Sequence, residues 1–217
     1  MSVNHQVSGL ATITLDSIVN LFHHPKTRTI STHLIGKEFM CRFPSGQLYF
    51  ESKLDLDTDG SVYHKQDGTG QGETSARYKD KSSLDADLVN YFVLPKHFYQ
   101  PHGIRIGDIG IVIYGIRKVY ACFGDVGPAN KLGEGSIALH RELGHETIVG
   151  RHTASGGRLI NAGISSGVIT IVFPGSGNGL GRKNSESTAI GEPLFQKLQK
   201  EGDAIGDFPA LKTRKYA

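Results

Sequence analysis

The sequence predicts a mainly β fold with a few short helices, arranged as a barrel-like single domain that spans residues 1–217. The chain contains 28 glycines, and such a composition favours turns and short strands over long helices. Its apolar runs are short and are separated by glycine, proline and other turn residues. Strand and helix patterns do not alternate regularly, which disfavours a doubly wound parallel sheet.

The first half of the chain contains one predicted helix, one predicted hairpin and one long polar loop. Apolar residues at helical spacing in segment 8–24 predict a short helix that ends at Pro25. Segment 33–57 predicts a hairpin with its turn at Pro44-Ser45-Gly46, between two runs of β-prone residues. The polar stretch 55–88 is too long for a simple connection, which indicates a functional or disordered loop.

The second half of the chain is dominated by apolar runs that predict strands. These runs are 89–95, 105–125 (two strands joined by a turn) and 168–175. Two helices are predicted as well. Segment 133–143 suits a helix that is opened by small residues, and segment 192–200 has apolar residues on one helical face.

Composition disfavours several classes of partner and site. A formal net charge of +3 is too weak to indicate a nucleic-acid partner. No segment approaches the roughly 18 apolar residues of a membrane span, and the first residues lack the pattern of a signal peptide. The two cysteines, Cys41 and Cys122, make a thiolate metal site improbable and are compatible with one disulfide or with two buried thiols.

Two motifs suggest a cofactor but fail on spacing. The glycine-rich loop 175–181 follows a strand, yet it matches neither the dinucleotide-binding pattern nor a phosphate-binding loop with its lysine. His140 and His145 are five residues apart without a glutamate after the first histidine, so they do not form a zinc-protease motif. Neither motif therefore indicates a nucleotide cofactor or a zinc-protease site.

An acidic segment resembles a calcium loop in its first half only. Asp55, Asp57 and Asp59 alternate before Gly60, as in loops whose carboxylates converge on a hard cation. The bidentate glutamate of a full loop is missing, because its position is occupied by Gln66. The segment predicts either a weak cation site or an acidic patch suited to a cationic substrate.

A second acidic segment, GDVGPANKLGEGS (124–136), contains Asp125 and Glu134 within a frame of glycines. Two carboxylates that face each other across a groove can hydrolyse a glycosidic bond. An aspartate after a strand and an acid at a helix start also occur for purely structural reasons. The spacing alone leaves both interpretations open.

Four segments, in this order, resemble the fungal-type chitosanases of glycoside hydrolase family 75. They are DLDTDG (55–60), YFVLP (91–95), FGDVGPANKLGEGS (123–136) and VITIVFPGS (168–176). The likeness spans roughly residues 50–176 and implies a glycosidase-like core at about 34–176. Residues 1–33 and 177–217 are then peripheral extensions.

The resemblance implies an endo-acting, inverting hydrolase of the β-1,4 linkages of chitosan, with Asp125 and Glu134 as the catalytic acids. Glu134, in the first turn of the predicted helix, is then the general base, and Asp125 is the general acid. An acidic cleft for the polycationic substrate is expected to use further aspartates. They are Asp55, Asp57, Asp59 and Asp108.

The resemblance also implies a monomer that binds a polysaccharide and needs no nucleic acid, membrane, metal or organic cofactor. It implies an extracellular protein, although no signal peptide is recognisable in this chain. Two alternatives stay open. The first is a non-catalytic carbohydrate- or protein-binding module on the same scaffold, and the second is a hydrolase of another glycan such as peptidoglycan.

Overall fold

Six strands of the computed structural model close into a barrel, and two further strands extend it; the structure describes residues 15–30, 39–67, 70–146 and 163–205. The strands are β1 (Arg28–Thr29), β2 (Met40–Arg42), β3 (Leu48–Asp57), β4 (Tyr91–Pro95), β5 (Ile109–Tyr114), β6 (Arg117–Gly127), β7 (Glu134–Ser136) and β8 (Gly163–Phe173). The barrel order is β3-β7-β4-β6-β5-β8, with β8 pairing back onto β3, and β2 and β1 continue from β3. The predicted mainly β, barrel-like single domain is confirmed.

Four α-helices and one short 3-10 helix accompany the strands in the described ranges. They are α1 (Asp16–Phe22), α2 (Val62–Asp67), the 3-10 helix (Gln100–His102), α3 (Ile137–Glu142) and α4 (Asn184–Ala204). Helices α1 and α4 pack on each other and cover one outer face of the barrel. No helix in these ranges has both the length and the apolar character needed to cross a membrane.

Alternate residues of the barrel strands form the main core. Since successive side chains of a strand point to opposite faces, the alternating set lies on one face and fills the barrel. Its members on the barrel strands include Leu48, Phe50, Leu54, Phe92, Leu94, Phe123 and Val172. The other face of β3, β5 and β8 packs against Phe195 and Leu198 of α4.

Both predicted hairpins are confirmed. Strands β2 and β3 are antiparallel, and the Phe43 N–H donates to the Gln47 carbonyl across the predicted turn, at 3.0 Å. Strands β5 and β6 pair from Ile109 with Cys122 to Tyr114 with Arg117. These hairpins were predictable because the turn and both strands are adjacent in the sequence.

The C-terminal helix is longer than the predicted 192–200. It runs from Asn184 to Ala204 and has Pro193 in its interior rather than in its first turn. Residues ahead of the proline form the first two turns, in which Gly191 approaches the ring of Tyr120 on the barrel. This contact with the barrel offsets the backbone hydrogen bond that a proline removes from a helix interior.

The predicted helix over 133–143 is wrong in its first part. Residues Glu134–Ser136 form strand β7, and only Ile137–Glu142 are helical. Gly133 has a φ of +85°, and a side chain there would collide with the Lys53 carbonyl, so the chain passes directly beside β3. Glu134 therefore lies between two strands and not in the first turn of a helix.

The two cysteines are free thiols. Cys41 lies in β2 and Cys122 in β6, and both are fully buried. Burial raises the pKa of Cys41 to about 12 and that of Cys122 to about 11. Of the two alternatives left open by the sequence, the structure has two buried, unreactive thiols.

Candidate active site

Carboxylates from three strands meet at one region of the barrel wall. Asp57 ends β3, Asp59 lies in the turn that follows, Asp125 lies in β6 and Glu134 begins β7. Val93 of β4 pairs with Asp125 on one side and with Glu134 on the other. The α carbons of these two acids are thus two strand spacings apart, about 10 Å.

Asp125 is held in one orientation by three hydrogen-bond donors. Its Oδ1 accepts from the N–H of Ser75 at 2.8 Å, from the hydroxyl of Ser75 and from the N–H of Val126 at 2.8 Å. The residue is 6% exposed. Since one oxygen carries all three bonds, the carboxyl plane is fixed and its other oxygen is left for a different partner.

Asp57 and Asp59 lie beside Asp125 and have raised pKa values. Burial raises the pKa of Asp57 to about 8, and the negative charge of Asp59 adds to this rise. Burial also raises the pKa of Asp59 to about 6; the N–H of Gln71 opposes the rise, whereas Asp125 strengthens it by its charge and by a carboxyl–carboxyl hydrogen bond. Near neutral pH this group of three acids therefore retains a proton.

Glu134 has a different environment. Its Oε1 accepts a hydrogen bond from Lys131 Nζ at 2.6 Å, and its Oε2 is buried without a hydrogen-bond partner among the described residues. A β carbon on Gly127, in the neighbouring part of β6, would lie 2.7 Å from Oε2. A glycine at this position therefore leaves room for the carboxylate.

Asp55 pairs with Glu134 across the parallel β3–β7 ladder. Its Oδ2 lies 2.6 Å from Lys53 Nζ and 3.1 Å from Lys131 Nζ. Burial by itself would raise the pKa of Asp55, but the hydrogen bonds and charges of the two lysines lower it below its usual value. Asp55 is thus committed to lysines of the protein, unlike Asp57 and Asp59.

Asp108 is separated from these acids by its contacts. It is fully buried, and its carboxylate accepts from the N–H groups of Arg105 at 2.9 Å, Gly175 at 3.0 Å and Gly177 at 2.6 Å. These bonds tie the segment before β5 to the loop after β8. A carboxylate without exposed surface and with three protein donors has no free face for a substrate.

His140, from the rejected histidine motif, has a structural position. It is fully buried, and its Nδ1 and Nε2 each lie 2.9 Å from a carbonyl oxygen, that of Ser136 and that of Leu54. These contacts connect α3 and the end of β7 with β3. His140 therefore supports the strands on which Asp55, Asp57 and Glu134 lie.

A polar cavity of about 410 Å³ opens beside Asp125. Its walls come mainly from the long polar loop, for which the sequence left a functional and a disordered role open. The lining residues are Asp59, Gln71, Gly72, Glu73, Thr74, Ser75, Arg77, Asp125 and Val126. Oxygen atoms of Asp57, Asp59 and Asp125 lie within 4.8 Å of one another, close enough to share a hard cation or, as the raised pKa values of Asp57 and Asp59 indicate, protons.

Sequence reasoning missed Ser75 and Lys131. Ser75 lies in the long loop, where the backbone bond from Ala76 N–H to the Gly124 carbonyl (2.8 Å) docks it beside β6. Nothing in the polar sequence distinguishes Ser75 from its neighbours. Lys131 lies in segment 124–136, between Asp125 and Glu134. A basic residue between two acids was the sequence signal that could have identified it.

Comparison of the chain with curated proteins gave no match. A protein-family model, described as fungal chitosanase of glycosyl hydrolase group 75, matches residues 54–207. The matched region contains all four acids that meet at the barrel wall, and it continues through the whole of α4. Because the match covers most of the 217 residues, the chain belongs to the fungal chitosanases of glycosyl hydrolase group 75.

Proposed function

We propose that this chitosanase cleaves the β-1,4 glucosamine linkages of chitosan internally and with inversion, using Asp125 and Glu134 as its catalytic pair. Membership of the family makes the protein a glycoside hydrolase that acts on chitosan. The observation that carries the proposal is the position of Val93, which has Asp125 on one side and Glu134 on the other. The two acids therefore flank a single strand of the barrel wall.

The strand spacing supports inversion over retention. Carboxyl groups of retaining glycosidases are roughly 5–5.5 Å apart, and those of inverting enzymes are roughly 6.5–9.5 Å apart. Two residues on adjacent strands would suit the first range, whereas Asp125 and Glu134 lie two strands apart, at about 10 Å between α carbons. Side chains that lean slightly together leave room for the attacking water.

The surroundings of the two acids support different roles. Asp57 holds its proton near neutral pH, and the negative charge of Asp59 lies close to Asp125, an environment that suits a general acid. Lys131 stabilises the anion of Glu134, which suits a general base. Asp125 thus remains the proposed acid and Glu134 the proposed base. The anion of Glu134 is stabilised by Lys131 and not by a helix dipole.

The reaction then follows in one displacement. Asp125 gives its proton to the glycosidic oxygen as the bond from that oxygen to C1 breaks. Glu134 takes a proton from water as the water oxygen bonds to C1 from the opposite face. The product sugar has the opposite anomeric configuration, and solvent exchange returns the proton from Glu134 to Asp125.

The acidic cavity wall supports a polycationic substrate. Asp59 and Glu73 line the cavity beside Asp125, so glucosamine ammonium groups meet negative charge although the whole chain carries +3. We assign substrate contact to Asp59 and charge support to Asp57. Asp55 contacts lysines instead of substrate.

The test is hydrolysis of soluble chitosan, chitin and peptidoglycan, followed by measurement of new reducing ends. We expect activity on chitosan by a monomer, unchanged after dialysis against a chelator, with shortened internal fragments as early products. Proton NMR of the first products should show the α anomer. Binding to chitosan without hydrolysis would instead favour a non-catalytic module, and cleavage of peptidoglycan alone would favour another substrate.

A further inference from the structure

A chain of alternating charges runs from β3 to Glu134. Lys53 Nζ lies 2.6 Å from Asp55 Oδ2, Lys131 Nζ lies 3.1 Å from the same oxygen, and Lys131 Nζ lies 2.6 Å from Glu134 Oε1. Lys131 is therefore shared between a carboxylate of β3 and one of β7. The side chains of the two lysines and of Asp55 are about one third exposed, whereas that of Glu134 is 12% exposed.

Backbone contacts fix the lysine on both sides. The Lys131 N–H donates to the Pro128 carbonyl at 3.2 Å, and the next residue, Leu132, is buried in the core. Beyond it, the Gly133 carbonyl accepts from the Asp55 N–H at 2.8 Å, which aligns the lysine segment with β3. Lys131 thus reaches Glu134 from a defined position rather than from a free loop.

The contact uses only one oxygen of the glutamate. Lys131 binds Oε1, while Oε2 is buried and has no hydrogen-bond partner among the described residues. An ionised carboxylate held by one oxygen offers the other to accept a proton from water. The acidic groups that interact electrostatically with Glu134 include Asp57 at the end of β3 and Asp59 in the turn after it.

We propose that Lys131, itself held by Asp55, is the positioning residue that keeps Glu134 ionised and directs its free oxygen at the attacking water. The inference rests on the proposed function, because it gives Glu134 the role of general base. A purely structural role explains the arrangement less well, since partly exposed ion pairs contribute little to stability. The lysine contacts also explain why Asp55 is not available to the substrate.

The experiment compares Lys131→Met and Lys131→Arg with the unmodified enzyme across the pH range, on a soluble chitosan oligosaccharide. Removing the cation beside the general base disfavours the ionised form of that base, so the acid limb of kcat/KM should move upward by about one pH unit. At pH values well below that limb, kcat should fall by up to about tenfold while KM changes little, and arginine should restore most of it. The substrate amines titrate in the same way with every variant. The ratio of variant to unmodified activity at each pH is therefore independent of that titration.

Lys118→Met is the matched control. Lys118 pairs with Glu192 at 3.4 Å and is 31% exposed, against 33% for Lys131, but it lies at the opposite end of β6 from Asp125. It should leave the pH profile unchanged. An acid limb that stays in place in folded Lys131→Met, or a change in KM alone, overturns the inference.

Glu134→Gln separates this inference from the proposed function. If Glu134→Gln keeps full activity, the catalytic pair itself is wrong. If Glu134→Gln is inactive and Lys131→Met keeps its acid limb, the pair stands and only the role of Lys131 is refuted. Circular dichroism and thermal unfolding of each variant confirm that the fold is intact.

Discussion

Asp55 and Asp57 are two residues apart in one strand, yet their carboxyl groups have opposite electrostatic environments. Asp55 contacts Lys53 and Lys131, which lower its pKa. Asp57 is half-buried beside other acids, and its pKa rises to about 8. No lysine or arginine among the described residues pairs with Asp57, Asp59 or Asp125 in the way that the lysines pair with Asp55.

The difference shows how one strand can serve both halves of an acid–base mechanism. Burial without a cation favours the protonated carboxyl, and a nearby ammonium favours the ionised one. Glu134 contacts Lys131, whereas Asp125 lies beside Asp59, a carboxyl group with a raised pKa. The proposed roles therefore follow from neighbours rather than from the choice of aspartate or glutamate.

The largest expected effect comes from removing either member of the pair. Glu134→Ala and Asp125→Ala should each lower kcat on chitosan by about 10³-fold, within the range for general acid–base groups. Azide is a small anion that attacks without deprotonation, so it should restore bond cleavage by Glu134→Ala. The product is then a glycosyl azide, which mass spectrometry detects. Rescue of Asp125→Ala instead would reverse the assignment of the two sides.

Asp57→Asn should change the pH dependence of stability. The folded protein keeps the Asp57 proton up to about pH 8, whereas the unfolded chain releases it near its ordinary pKa, so the unmodified protein loses stability as the pH rises between these values. The asparagine variant lacks this loss. Relative to the unmodified protein, its free energy of unfolding should rise by about 2 kcal/mol or more from about pH 4.5 to about pH 7.5, measured with urea.

The exposed Asp203 of α4 provides the control for this measurement. Asp203→Asn should give a difference from the unmodified protein that stays constant over the same pH range. An equally constant difference for Asp57→Asn would show that Asp57 is ionised in the folded protein. Asp55 and Asp57 would then both be ionised in the folded protein, and the proposed difference between their environments would be refuted.

Ser75→Ala tests whether Ser75 orients the carboxyl group of Asp125. The change removes the hydroxyl bond to Asp125 Oδ1 but keeps the backbone N–H bond, so kcat should fall about tenfold with little change in KM. Ser82→Ala is the matched control, because Ser82 contacts Asp80 by its N–H and its hydroxyl on an exposed turn. Equal effects of the two variants would contradict a role for Ser75 in the site.

The smallest effect is expected for Asp55→Asn. Because its folded pKa is lowered, Asp55 contributes stability above its unfolded pKa, and this contribution disappears as the pH falls through the folded pKa. Asp55→Asn should therefore lower the free energy of unfolding by roughly 1 kcal/mol or less at neutral pH, since the lysine pairs are partly exposed. Thermal unfolding near neutrality and near pH 3 should show the difference shrinking in acid.

Local sequence signals were sufficient for part of the fold. The hairpins were predictable because their turns and strands are contiguous, and the motif around Asp125 and Glu134 could be selected by its resemblance to a family. Strand β7 could not be predicted, because its three residues are held by β3 and β4, which come from distant parts of the chain. Closure of the barrel by β3 and β8 is likewise a long-range event.

Residue type alone did not separate the aspartates. Asp57, Asp59 and Asp108 all appeared suited to an acidic cleft, but the carboxylate of Asp108 is enclosed by three N–H groups of the protein. The partners that distinguish the acids, Ser75 and Lys131, reach them through tertiary contacts. Charge and spacing in the sequence contain no information about which cation approaches which carboxylate.

The position of strand β4, whose Val93 lies between Asp125 and Glu134, has a consequence for evolution. On the proposed mechanism, the width of one intervening strand sets the stereochemical outcome, because it separates Asp125 from Glu134 by two strand spacings. Point substitutions can abolish hydrolysis or alter its pH dependence, but they cannot remove a central strand from a closed barrel. Descendants of this fold that keep these two acids should therefore diversify in substrate while their product anomer stays the same.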